Sequence, residues 1–110
     1  MLEVIVRDYL REELGEPVYL EVPADPPERY VVFSKVGGNC SNHIDAAMLS
    51  FRSVAGSLYE AAELNQRVIA AMDGIVRLDA VSSAELHSTY NNTNTASKEY
   101  RYQAVFDLIY

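Results

Sequence analysis

The stretch from Ser57 to Ile75 constrains this chain more than any other part of it. Ser57-Leu58-Tyr59-Glu60 has the form of a capping box, with the serine at N-cap and the glutamate at N3. From there Leu58, Ala61, Leu64, Val68, Met72 and Ile75 recur on one stripe, opposite Glu60, Glu63, Asn65, Gln66, Arg67 and Asp73. Glu63 and Arg67 form an i,i+4 pair in the favourable order. The spacing predicts an amphipathic helix over 58–73, ended by Gly74, with one apolar face that must be buried. The C-terminal segment alternates with the period of a strand: Tyr100, Tyr102, Ala104, Phe106, Leu108 and Tyr110 on one side, Arg101, Gln103 and Asp107 on the other.

The other elements follow from the same two periods. Leu2, Ile5, Val6, Tyr9, Leu10 and Leu14 recur at helical spacing, and Glu3 and Arg7 pair across one turn. Gly15 is a natural C′ residue and Pro17 stops continuation, so a helix over 2–14 is predicted. Val18 to Val22 reads as a short strand closed by Pro23. Ala24-Asp25-Pro26-Pro27-Glu28 cannot pair in a ladder and reads as a stiff connection. Tyr30 to Val36 reads as a strand with both faces partly apolar, hence covered on both sides. Gly37-Gly38-Asn39 predicts a turn, and Ile44 to Val54 a longer strand with Ala47, Leu49 and Phe51 on one face. Ala84, Leu86 and Tyr90 alternate with Glu85, His87 and Thr89, and the small polar run Asn91–Lys98 reads as a mobile hairpin connection. The order is α-β-β-β-α-β-β. It predicts an α+β domain over residues 1–110, with two helices packed on a mostly antiparallel sheet of about five strands.

Composition narrows the function classes. The length of 110 residues leaves room for one core, and 49% hydrophobic against 23% charged residues is a globular balance. Net charge is −7, and residues 1–28 account for most of it, with eight acids against two bases. That balance argues against a general phosphate-binding surface, and nothing resembles a nucleic-acid groove. One cysteine, Cys40, excludes an internal disulfide and cannot supply a zinc site alone. There is no 18-residue apolar run and no basic-then-apolar leader, so the chain reads as cytosolic, with no membrane span.

The densest group of reactive residue types is Asn39-Cys40-Ser41-Asn42-His43-Ile44-Asp45. A cysteine or serine nucleophile, His43 as base and Asp45 as its orienter would make a catalytic set. Hydroxyl-rich, glycine-flanked segments are also what ordinary turns look like, and triads are recognised by geometry rather than adjacency. His43 and His87 with Asp45 or Glu85 lack metal-ligand spacing, and Gly37-Gly38 lacks the helix and lysine of a phosphate cradle. No catalytic residue, metal or cofactor is assigned.

Eight of the eleven aromatic residues are tyrosine and none is tryptophan. Tyrosine suits surfaces buried only part of the time. The Tyr100/Tyr102/Phe106/Tyr110 face reads as core under the helices; the alternative is that Tyr30, Tyr90 and Tyr100 lie at an edge and pack against another subunit. The chain has more apolar strand faces than two short helices cover, and assembly is one use for the surplus.

Several stretches carry a likeness beyond residue chemistry. They are the short N-terminal helix running into Pro17–Pro23, then Pro26-Pro27-Glu28-Arg29-Tyr30-Val31-Val32, and Gly37-Gly38 to Asn42-His43-Ile44-Asp45. Ser57 to Asn65 and the ending Tyr100–Asp107 complete them. Over nearly all 110 residues the chain resembles the small neck and tail-completion proteins of long-tailed phages and prophages of Gram-positive bacteria, and among them the tail terminator (tail-to-head joining) proteins. The resemblance implies a non-enzymatic structural protein without cofactors. Its partners would be further copies of itself in a ring, typically a hexamer, the major tail tube protein, and the head-closure or connector protein. DNA would pass through without specific binding, and the protein would sit in the virion neck after assembly in the host cytoplasm. On this reading Tyr30, Phe33, Tyr90, Tyr100, Arg101 and Tyr102 are candidate subunit-interface residues, and Glu12, Glu13 and Glu16 candidates for an acidic lumen. A different neck component, or more distantly a small α+β enzyme or ligand-binding module, is the alternative.

Overall fold

The computed structural model describes residues 1–41 and 44–110. Helix α1 spans Leu2–Leu14 and ends on Gly15, whose φ of 65° lies in the left-handed region that glycine adopts without cost. Strand β1 is only Val18–Tyr19, β2 runs Tyr30–Ser41 and β3 Ile44–Ala55. Helix α2 spans Leu58–Asp73, with Glu60 N–H donating to Ser57 Oγ at its start. A 3₁₀ turn at Ile75–Arg77 follows, then β4 (Ser83–Asn91) and β5 (Tyr100–Ile109). The expected order α-β-β-β-α-β-β is the observed one. The five strands form one sheet in the order β1-β2-β3-β5-β4, antiparallel except for the parallel pair β1–β2.

Both helices lie on one face of the sheet. Partners in register share a face, so Val31 and Phe33 of β2, Leu49 and Phe51 of β3, and Phe106 and Leu108 of β5 converge beneath Leu10, Leu64, Val68 and Met72. At the centre Phe33 stacks on Phe51 with ring centroids 4.9 Å apart, and Phe51 meets Phe106 edge-on at 5.9 Å. Tyr9 is buried with its hydroxyl donating to Ala71 O at 2.7 Å, which fastens α1 to α2.

Three sequence expectations are corrected. First, Gly37-Gly38 does not turn the chain: β2 carries on to Ser41, still paired with β3. The ladder slips between Lys35 and Gly37, leaving Val36 unpaired and exposed, and a Cβ on Gly38 would fall 2.8 Å from Ala46 O. A glycine pair serves a bulge and a close backbone approach as well as a turn. Second, the strand expected at 18–22 keeps ladder pairing only at Val18 and Tyr19. Third, the alternation of Ala84, Leu86 and Tyr90 is broken by a slip between Leu86 and Ser88. Ala84 and Leu86 oppose Leu108 and Phe106 on the helix side, whereas Tyr90 opposes Gln103 on the other.

Candidate functional site

Among the described residues, no helix lies on the other face of the sheet. From β2 this face presents Tyr30, Val32 and Ser34; from β3 Met48, Ser50, Arg52 and Val54; from β5 Arg101, Gln103, Val105, Asp107 and Ile109. β4 adds Glu85, Ser88 and Tyr90. Tyr19 and the segment 20–22 shelter one side of it: Tyr19 meets Tyr30 edge-on at 6.0 Å, and Leu20 and Val22 border a cleft with Val32, Ser34, Ser50 and Arg52. Val54 and Val105 are also buried on this face, whereas Tyr90 (47%) and Ile109 (41%) are among its exposed apolar side chains. A shallow depression at the far end is lined by Gly37, Gly38, Ala46, Met48, Asp107 and Ile109.

A polar strip crosses this face. Gln103 Nε2 donates to Ser50 Oγ at 2.6 Å, and Asn92 Nδ2 donates to Gln103 Oε1 at 2.7 Å. The connection after β4, expected to be mobile, is instead closely hydrogen-bonded. Asn91 Oδ1 accepts from Thr93 N–H and its hydroxyl, Asn94 Oδ1 accepts from Ala96 and Ser97 N–H, and Asn94 and Glu99 bridge. These are Asx turns, in which the side chain substitutes for a backbone turn. Arg101 ties the loop to the sheet through Glu99 (2.6 Å) and Asn92 O (2.5 Å).

The candidate interface residues separate into two groups. Phe33 (2% exposed) and Tyr30 (5%) are buried by the chain's own atoms and offer no surface to a partner. This corrects the expectation for both, because an apolar strand position looks alike in a core and in an interface. Burial raises the Tyr30 hydroxyl above its ordinary pKa, and the Glu99 carboxylate adds to the shift against Arg52 and Arg101. Tyr90, Tyr100, Arg101 and Tyr102 do gather at the β4–β5 hairpin end. Tyr90 and Arg101 lie on the open face, and Tyr100 and Tyr102 on the helix side, the latter three half-buried.

The acidic candidates share the C-terminal end of α1 but differ in charge state of their surroundings. Glu13 pairs with Arg77, whose guanidinium also sits 5.5 Å above the Tyr9 ring. Glu16 accepts from Arg29 at 3.1 Å and lies 3.9 Å from Arg67, which also donates to Leu14 O. Glu12 is exposed and makes no ion pair among the described residues. Two of the three carboxylates are therefore paired within the subunit.

The Asn39–Asp45 cluster lies at the far end of the β2–β3 hairpin, where Asn39 pairs with Ala46 and Cys40 with Asp45. Asn42 and His43 lie outside the described residues. Among the described residues no three His, Cys, Asp or Glu side chains come together as a metal site would require, and no helix is long and apolar enough to cross a membrane. Sequence reasoning missed Arg52. It is flanked by Phe51 and Ser53 in an apolar strand, and only the ladder places it facing out beside the 20–22 segment.

The chain matches no protein-family model and no curated protein.

Proposed function

We propose that this protein is a structural subunit that assembles into a ring through its open sheet face, as a tail terminator does at the head-proximal end of a phage tail tube. The observation that carries the reading is a two-layer domain whose sheet is covered by helices on one side only, with most of β4 and the far end of the other face exposed. Two-layer domains bury the apolar side of each layer, and an uncovered face with Tyr90, Ile109, Met48 and Val36 at or near it is surface kept for a partner. The occupant is a second copy. A closed ring needs two different complementary patches on each subunit, and this sheet has unlike edges. β4 exposes a nine-residue outer strand, whereas β1 covers β2 only at Val31 and Val32. The resemblance of the sequence to tail terminators supplies the rest of the proposal: the ring stops tube growth and presents a docking surface to the head connector.

Electron microscopy of the protein alone and mixed with tail tubes tests this. Rings of about six copies, seated at one end of the tube, are the expected result. A protein that remains monomeric at high concentration and never occupies tube ends overturns it.

A further inference from the structure

Seven arginines are present, and six of them are satisfied within the chain. Arg7 bonds Asp8, Arg11 donates to Val18 O, Arg29 and Arg67 meet Glu16, Arg77 meets Glu13, and Arg101 meets Glu99. Arg52 has no acceptor and no carboxylate within ion-pair distance among the described residues, and its Nε is buried without a hydrogen bond. The buried Nε carries a desolvation cost that no hydrogen bond among the described residues offsets.

Its surroundings are those of a socket. Arg52 stands on the open face between Val32 and Gln103, at a cleft of about 110 Å³ with Leu20, Val22 and Val32 as apolar walls. Ser34 and Ser50 are the polar lining. Ser50 Oγ accepts from Gln103, so its own proton remains available to donate. A planar guanidinium with a nearby hydroxyl and apolar walls fits a carboxylate on an aliphatic stem. A polyanion fits poorly. The next cation on this face, Arg101, is already engaged by Glu99, and the protein as a whole carries −7.

We propose that the Arg52 cleft receives a carboxylate side chain of the neighbouring copy and so sets the register of the ring contact. The inference rests on the ring reading above. Charge complementarity selects the occupant: acids exceed bases by seven in every copy, and Glu12 and Asp25 are exposed with no ion pair among the described residues. Each copy thus has carboxylates to spare and one vacant guanidinium, which is the asymmetry of a heterologous contact.

Arg52→Gln, with Arg52→Lys beside it, tests the assignment by sedimentation, by occupancy of tube ends and by Tm. Arg52→Gln is expected to weaken association about tenfold or more, the scale of one charge-assisted hydrogen bond. Its Tm stays level or rises, because an unpaired charge is removed from the monomer. Arg52→Lys, which keeps the charge and loses the fork, falls between the two. Wild-type association in Arg52→Gln overturns the inference and leaves the ring standing. A Tm lowered by several degrees also overturns it, since Arg52 would then be holding its own subunit together. Glutamate or succinate that raises the Tm of wild type but not of Arg52→Gln, with association unchanged, assigns the cleft to a free carboxylate and overturns it too. Wild-type protein that neither self-associates nor caps tubes removes both readings.

Discussion

At the scale of single residues, Phe33 and Tyr90 mark the two uses of an aromatic side chain in this protein. Phe33 is 2% exposed and stacked on Phe51, at the head of a three-ring series that ends on Phe106. Phe33→Ala removes a ring that the two neighbouring rings cannot fill by moving. We expect a loss of about 3–5 kcal/mol in urea unfolding, with any assembly defect following from unfolding. Tyr90 faces the open side with nearly half its surface in solvent. Tyr90→Ser should change unfolding by less than about 0.5 kcal/mol while reducing association measured by sedimentation. The sequence does not separate the two, since both are aromatic positions in alternating strands. Tyr90 reaches its face only because the ladder slips after Leu86. Arg52 was illegible for the opposite reason. One arginine in an apolar run signals nothing until the six other arginines are seen to be occupied.

At the scale of elements, helix termini written in capping chemistry were legible and the glycine pair inside a strand was not. Both helices run over the expected residues, 2–14 and 58–73, because Gly15, Ser57, Glu60 and Gly74 each act where the local rules put them. Ser57 Oγ accepts from Glu60 N–H at 3.2 Å, and its hydroxyl lies 3.4 Å from the Glu60 carboxylate. Ser57→Ala should therefore cost about 1 kcal/mol. Gly15→Ala should cost a similar amount, about 1 kcal/mol, purely from the left-handed backbone, as an added methyl there meets nothing within 4 Å. The two sites are on different helices and share no partner, so the double variant should lose close to the sum in chemical denaturation. A clear departure from additivity would mean that the two caps report one cooperative contact between α1 and α2. Gly37-Gly38 shows the limit of the same reasoning. Lack of a side chain permits a turn, a bulge or a close crossing, and which of these is adopted depends on Lys35 of the same strand and on Met48 and Ala46 of the partner strand.

At the scale of the whole molecule, dimensions turn the ring proposal into a measurement. The subunit is a rod, 45 Å long and 25 Å across in both other directions. Six equal round sections packed edge to edge around an axis leave a central hole as wide as one section. A ring of six copies standing parallel to the tube axis would thus be three widths of 25 Å, about 75 Å, in diameter, about 45 Å tall, and open over about 25 Å. An aperture of that order admits a DNA duplex. A net charge of −7 per copy gives the duplex little to grip, even with Glu13 and Glu16 engaged by arginines. Class averages of tube ends should show this outline end-on and a cap one rod length high from the side. A flat disc one 25 Å width high would place the rods radially. The open sheet face would then lie between neighbours along its whole length, and the hairpin end with Tyr90 and Arg101 would point either into the channel or out of it. Height and aperture together would therefore separate an upright arrangement of the subunits from a radial one.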